Sequence, residues 1–517
     1  MGRSGKAILV VGIVFFLFSG VILTRSPLVW RDEVQFASMA LSLLRDGTGT
    51  PSVLAEDPRM PFSYRFYGPA FPVLGALAFK LFGISQVSFR AISLLAGLSL
   101  AIACAYFVLL LSGSKVWAAL AFSLTILSPE FGATATSGRM DTLAVGCEWM
   151  GMALLLAAIQ SAALRSGILL CIGAGTVWTL AALSTPRALP FFFCLTIWAP
   201  ILLRLPLSLR QRAFAFYLAT GLLAVSLFVT WLLFAGLTPL SWLRDLSAMS
   251  STARSYAIIG GYWHLRPSPL WLLTPLAASA LLVCAGLNRR KLTALIRREH
   301  TLLHWIICGV TVNAVFSFVI SARPEGYGLY SGLPLLIVSL VLVASVAPDN
   351  LSGVARLQVC VLSIIVVFGL VRLAKLGDVF ATWRARDPQA AAQFVRANVP
   401  AGSRVLGPLE FYFYAVEQAD STYRFHEPLH DRNFPFRDDQ LNPAYEIARQ
   451  KKYGATFLLW PANRALPLSC RCESAPLVAE FKPQRDHAFF YWPHPSTGGY
   501  PPARLYRLPD DFTIEGK

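Results

Sequence analysis

Residues 88–111 read SFRAISLLAGLSLAIACAYFVLLL, with Arg90 as the sole charged side chain. An α-helix of this length rises about 1.5 Å per residue and covers the roughly 30 Å hydrocarbon core of a bilayer. A helix facing water would carry a polar stripe, whereas this one has only scattered serines. The stretch therefore predicts a transmembrane helix. Comparable runs lie near 7–23, 116–129, 142–162, 167–184, 187–203, 213–235, 269–287, 302–320, 328–346 and 355–373. Together they predict about eleven crossings, an all-α polytopic membrane domain over 1–377.

Composition points the same way. The chain has 517 residues, 55% apolar and 14% charged, against about 25% charged in soluble domains. Mean hydropathy is +0.56. The formal net charge of +17 is carried almost wholly by residues 1–377, at +16, with +1 left for 378–517. A nucleic-acid binder needs its basic face on a water-exposed domain, so that class is excluded.

The distribution of cations sets an expected orientation. The run MGRSGK precedes 7–23, and TRSPLVWRDE after it is a poor signal-peptidase site, so the first span reads as a retained helix with its N-terminus in the cytoplasm. Loops 1–6, 111–116, 163–166, 204–212, 288–301 and 347–356 then fall inside, and they hold the dense runs RLPLSLRQR and NRRKLTALIRREH. That is the positive-inside pattern. An odd number of crossings places 25–86, 130–141, 236–268, 321–327 and 378–517 outside. Short hydrophobic lengths and the lack of a eukaryotic retention signal point to a bacterial inner membrane, with the last segment then periplasmic.

Residues 25–86 read as a polar-to-amphipathic outer loop. DEVQFASMALSLLRDG suits a helix lying on the membrane surface. The segment 378–517 reads as a small α/β domain. An amphipathic helix leads into the strand at RVLG, and ATFLLW, APLVAEF and ARLYRLP read as further strands. Seven of the nine cysteines fall in apolar spans, where cysteine is a small hydrophobe. Cys470 and Cys472 remain in the tail, as two thiols or a local bridge; they are too few for a zinc site.

Polar groups gather on the expected outer side. Asp32 and Glu33 begin the surface helix, where they equally fit an N-cap with a dipole-stabilising neighbour. Asp141, in SGRMD, opens the 142–162 span, and Glu148 lies two turns deeper on the same face. A carboxylate at that depth costs about 2.5–3.5 kcal/mol and calls for a cavity or a cationic partner; a structural pair with a buried arginine is the plainer reading for Glu148. Arg90, Arg139, Arg187, Arg254, His264, Arg266 and Arg323 supply outward cations. Singly each suits lipid headgroups or loop carboxylates; together with the acids they suit an anion-binding cleft.

In this order the motifs resemble the GT-C class of membrane glycosyltransferases, of the protein O-mannosyltransferase and lipid A aminoarabinose transferase kind (family 39/83 type). The resemblance rests on DE at Asp32–Glu33, YGPAFPVLGALAFKLFGISQVSFRAISLLAG at 67–97, RMD at 139–141, STPRALP at 184–190 and RPEGYGLYSGLPLLIVSL at 323–340. It covers most of 7–400. The family's Pro-Pro stands here as Gly68-Pro69, and its Lys-Gly-Pro as Thr185-Pro186-Arg187.

The resemblance implies transfer of a sugar from a polyprenyl-phosphate donor to an acceptor hydroxyl on the outer face, in cell-envelope, lipopolysaccharide or protein glycosylation. The acceptor would be a glycolipid, glycan or protein. Because phosphate leaves readily, one carboxylate base suffices, with cations stabilising the departing phosphate. Asp32 is the expected base, Asp141 a second acid orienting the acceptor or a metal, and Glu33 a support for the loop. Arg187, Arg254, His264, Arg266 and Arg323 are phosphate candidates, and Tyr327 would position sugar or phosphate. Asp32 and Asp141 could hold Mg²⁺ or Mn²⁺, and the cofactor stays open. The competing class is a membrane transporter of a lipid-linked or anionic substrate, which would place its polar groups near mid-bilayer in repeated halves.

Overall fold

A computed structural model describes residues 3–29, 31–49, 67–188, 207–244, 247, 273–286, 328–346, 351–418, 422–425, 454–462, 475–483 and 500–508. The helices are α1 (Arg3–Val21), α2 (Arg31–Arg45), α3 (Ala70–Phe82), α4 (Gln86–Ser112), α5 (Lys115–Leu127) and α6 (Pro129–Thr134). They continue with α7 (Met140–Gln160), α8 (Leu164–Ala182), α9 (Leu207–Phe234), α10 (Leu273–Gly286), α11 (Gly328–Val346), α12 (Leu351–Ala381), α13 (Pro388–Asn398) and α14 (Tyr412–Gln418).

Among the described residues, five helices are long and apolar enough to cross a membrane: α4, α7, α8, and the stretches Ala213–Phe234 of α9 and Leu357–Ala381 of α12. Shorter apolar helices accompany them in α1, α3, α5, α10 and α11. Most of the expected span 187–203 and all of 302–320 lie outside the described residues. One element differs from the sequence reading. Within 25–86, read as a polar-to-amphipathic outer loop with amphipathic helices, α3 is an apolar helix of 13 residues, about 20 Å long and too short to span alone.

Local chemistry fixes the helix ends. Ser85 caps α4 by accepting from the Ser88 N–H at 3.1 Å, and the Ser88 hydroxyl answers the Ser85 N–H at 3.2 Å, a reciprocal capping box. Gly113 closes α4 at φ +65°, backbone that only glycine adopts without penalty. Ser128 and Pro129 start α6, with proline at the helical position that needs no N–H. The main core lies where α7 packs against α4 and α8, with α5 and α11 closing over it.

The later residues form a five-stranded sheet of order β2-β1-β3-β5-β4, with strands β1 (Arg404–Gly407), β2 (Thr422–Phe425), β3 (Phe457–Pro461), β4 (Leu477–Phe481) and β5 (Ala503–Arg507). β1 pairs in parallel with β2 and β3, with α14 in the crossover, while β5 runs antiparallel to β3 and β4. This sheet shares one apolar core with the membrane-domain elements. Val34, Phe36 and Ala37 of α2, Phe71 of α3 and Phe89 of α4 pack in the same cluster as Val395, Val405, Phe413 and Leu505.

Candidate active site

Three connected features bring the acids together at one end of the bundle. First, Arg90, the fifth residue of α4, donates Nε to Glu33 Oε1 at 2.5 Å and Nη2 to Oε2 at 2.7 Å. Its Nη1 donates to the Leu23 and Pro27 carbonyls at 2.7 and 2.8 Å. Both side chains of this pair are sealed from solvent. The fork-to-fork bond therefore fixes the start of α2 against α4 and ties down the connection from α1.

Second, the turn into α7 is shaped by Gly138 at φ +61°, where a Cβ would approach Glu33 Cγ to 2.9 Å. Arg139 follows as the extended residue before α7, its carbonyl held by the Ser93 hydroxyl at 2.8 Å. Its guanidinium then joins two acids. Nε donates to Asp141 Oδ2 at 2.5 Å, and Nη1 lies 3.6 Å from Asp32 Oδ2.

Third, Arg187 stands on a single 3-10 turn, Pro186–Ala188, just beyond α8. Its Nη1 donates to Asp141 Oδ1 at 3.3 Å. Tyr330 of α11 donates its hydroxyl to the same oxygen at 3.0 Å. The turn is brought in by a backbone approach, because a Cβ on Gly68 (φ +94°) would collide with the Leu183 carbonyl oxygen, which accepts the Ala70 N–H at 3.1 Å.

The expected residues thus divide. Asp32 and Asp141 meet through Arg139, and Arg187 joins them at Asp141. Asp141 is 1% exposed and Asp32 38% exposed, so Asp32 is the acid that an incoming molecule reaches. Glu33 turns the other way, into its pair with Arg90. Arg254, His264, Arg266, Arg323 and Tyr327 lie outside the described residues, as do Cys470 and Cys472. Glu148 is buried, and Oε1 has no hydrogen-bond partner. The buried arginine expected beside it is not found among the described residues; Arg139 and Arg187 engage Asp141, two turns nearer the helix start.

Arg139 as a bridge and Tyr330 as a donor were not singled out from sequence. Arg139 was one of several outward cations, and its placement two residues before Asp141 was the available signal. Tyr330 lies three residues after Tyr327 in the sequence, within the quoted 323–340 motif. The donor set also bears on a divalent metal. Asp141 already holds two guanidinium groups and a phenol, and Asp32 shares one of those cations, so the pair does not fit a carboxylate metal cage. Among the described residues, no three His, Cys, Asp or Glu side chains cluster closely enough to hold an ion.

No protein-family model matches the chain, and no curated protein is significantly similar to it. Solved structures do match. ArnT from Cupriavidus metallidurans bound to undecaprenyl phosphate aligns over all of both chains, with 14% identity and a TM-score of 0.56. The same protein in the apo state gives 14% identity and 0.55, again over the full length of each. The Archaeoglobus fulgidus oligosaccharyltransferase aligns over 90% of this chain and 70% of its own, at 12% identity and a TM-score of 0.47, a likeness too slight to argue from. At such identities the likeness is one of fold. The chain shares the fold of ArnT, a polytopic helical architecture of the kind the motifs from Asp32 to residue 340 led us to expect.

Proposed function

We propose that the chain is a membrane glycosyltransferase that moves a sugar from a polyprenyl-phosphate donor to an acceptor hydroxyl. One observation carries the reading: Arg139 joins a reachable carboxylate, Asp32, to a buried one, Asp141, whose other oxygen holds Arg187. A base and a cation suited to phosphate therefore belong to one linked group. The ArnT structure with undecaprenyl phosphate, similar over its full length, supports a lipid-linked donor.

In this reading the acceptor oxygen attacks the anomeric carbon while Asp32 takes its proton. The bond from that carbon to the phosphate oxygen breaks, and the configuration inverts. A positioned base contributes about 10²–10⁴ in rate. Charge growing on the departing phosphate is met by Arg187, whose direction Asp141 and Tyr330 fix. Asp141 itself is no base, since Arg139, Arg187 and Tyr330 engage its oxygens; it positions the cations. The further reading is that 378–517 is an extracytoplasmic domain, that this face of a bacterial inner membrane is the outer one, and that Arg254, His264, Arg266, Arg323 and Tyr327 complete the phosphate site.

The test is transfer of radiolabelled sugar from polyprenyl-phosphate donor to a membrane extract, wild type against Asp32→Asn. The expected result is loss of transfer with an unchanged amount of folded protein. Undiminished transfer removes Asp32 as base, and solute uptake into proteoliposomes without transfer replaces the reading with a transporter.

A further inference from the structure

The β-sheet reaches the acid group by a polar path as well as an apolar one. Gln86 opens α4 and stands one turn before Arg90 on the same face. A guanidinium carries donors alone, so Gln86 meets Arg90 with its amide oxygen, 3.3 Å from Nε and 3.0 Å from Nη1 and Nη2. The amide nitrogen then faces the hydroxyl of Tyr414 in α14, at 3.4 Å. That hydroxyl is hydrogen-bonded in turn to the hydroxyl of Tyr500, just before β5. Tyr500 is itself held firmly. Its N–H donates to the Ala385 carbonyl beyond α12 at 2.9 Å, and its ring packs against Phe411 and Phe481. Gln86, Arg90, Tyr414 and Tyr500 are all buried.

Docking of the sheet needs none of this. Phe413 packs on Phe89 with ring centroids 6.2 Å apart, and the shared apolar core joins the two parts. Burying an amide and two phenols carries a desolvation cost that an apolar contact avoids. What a polar chain adds is direction, because a buried network whose members engage one another fixes one arrangement. This one ends on the guanidinium that grips both oxygens of Glu33 and the carbonyls of Leu23 and Pro27. Asp32 is the residue beside Glu33. Burial pushes both phenols up, so each keeps its proton at neutral pH.

We propose that Tyr414, Tyr500 and Gln86 are positioning residues for Asp32, acting through Arg90 and Glu33. The role of Asp32 in this scheme rests on the transfer reading; the linkage itself does not.

The test compares Tyr414→Phe, Gln86→Met and their double variant in the full chain in nanodiscs, with Leu458→Ala as control. Leu458 belongs to a separate core on the sheet's other face. Losing one hydrogen bond should lower kcat about fivefold in each single variant, with KM for the radiolabelled polyprenyl-phosphate donor unchanged. Because both act in one chain, the double variant should fall no further than the worse single one. Leu458→Ala should lower the unfolding midpoint and leave kcat unchanged. Multiplied losses in the double variant, or an equal fall in kcat for Leu458→Ala, overturn the proposal. Amide hydrogen exchange across residues 31–38 gives a second readout that needs no transfer. It should quicken about fivefold in Tyr414→Phe and stay at the wild-type rate in Leu458→Ala. Unchanged exchange in Tyr414→Phe overturns the linkage. Quickened exchange in a protein that transfers no sugar keeps the linkage and removes the transfer reading. Should Tyr414→Phe fail to fold by size exclusion, Gln86→Met, which leaves every strand untouched, decides alone.

Discussion

Glu33 and Arg90 form a two-point ion pair with no exposed atom on either side chain, while the neighbouring Asp32 is the exposed member of the acid group. Adjacent residues at one helix start thus do unlike work. Removing one partner strands a buried charge, so Glu33→Ala should lower stability by about 3–5 kcal/mol. Thermal unfolding in detergent would read this as a large fall in midpoint, with Asp32→Asn close to wild type. Equal stability losses for the two variants would contradict the division.

Asp141→Asn should reduce turnover by about 10²–10³, because Arg139 and Arg187 lose their shared counter-charge. Tyr330→Phe removes one hydrogen bond to that carboxylate and should cost about tenfold. Both are read as kcat against KM for the donor, with folded protein measured in parallel. If Tyr330→Phe proves more damaging than Asp141→Asn, Tyr330 touches substrate rather than steadying the acid.

Gly68→Ala should be poorly tolerated for two reasons: its positive φ, and the collision of a Cβ with the Leu183 carbonyl. The strain would push the turn bearing Arg187 away from Asp141, so transfer should drop along with a stability loss of about 1–3 kcal/mol. Gly47→Ala, at a positive φ but in open space, separates backbone strain from collision; it should leave transfer intact.

Glu130, in the connection between α5 and α7, is buried, with Thr274 donating to Oε2 at 2.7 Å and Oε1 unpaired. Burial pushes its carboxyl up to about 7, against a smaller opposing pull from the Thr274 hydrogen bond. A raised carboxyl favours the protonated folded form. Stability should therefore decline as pH rises from about 4.5 to 7, by roughly 3 kcal/mol, and level off above. Glu130→Gln should flatten that slope in unfolding midpoints taken between pH 5 and 8; an unchanged slope assigns it to another group.

The helices were legible because lipid imposes one rule, a long apolar run, and α4, α7 and α8 obey it. The apolar character of α3 was not read because its 13 residues fall below the crossing length; one side of it packs on α2, while Val73, Leu77, Leu81 and Phe82 stay exposed. The nearness of Asp32 to Asp141 was readable from the shared end of their helices. The bridge through Arg139 and the bond from Tyr330 were not, since a contact across 189 positions leaves no periodic trace in the chain. Glu148 illustrates the converse: burial was foreseen, but no arginine pairs with it among the described residues.

The shared core of α2 and the β-sheet has a bearing on biosynthesis. Phe36 and Phe71 leave the ribosome hundreds of residues before Val405 and Leu505, later members of the same apolar cluster. Until translation nears its finish, the apolar cluster beside the segment bearing Asp32 lacks its last members. A premature stop codon before β1 would therefore do more than delete a tail: it would strand the reactive end of the molecule half-assembled, a target for membrane proteases.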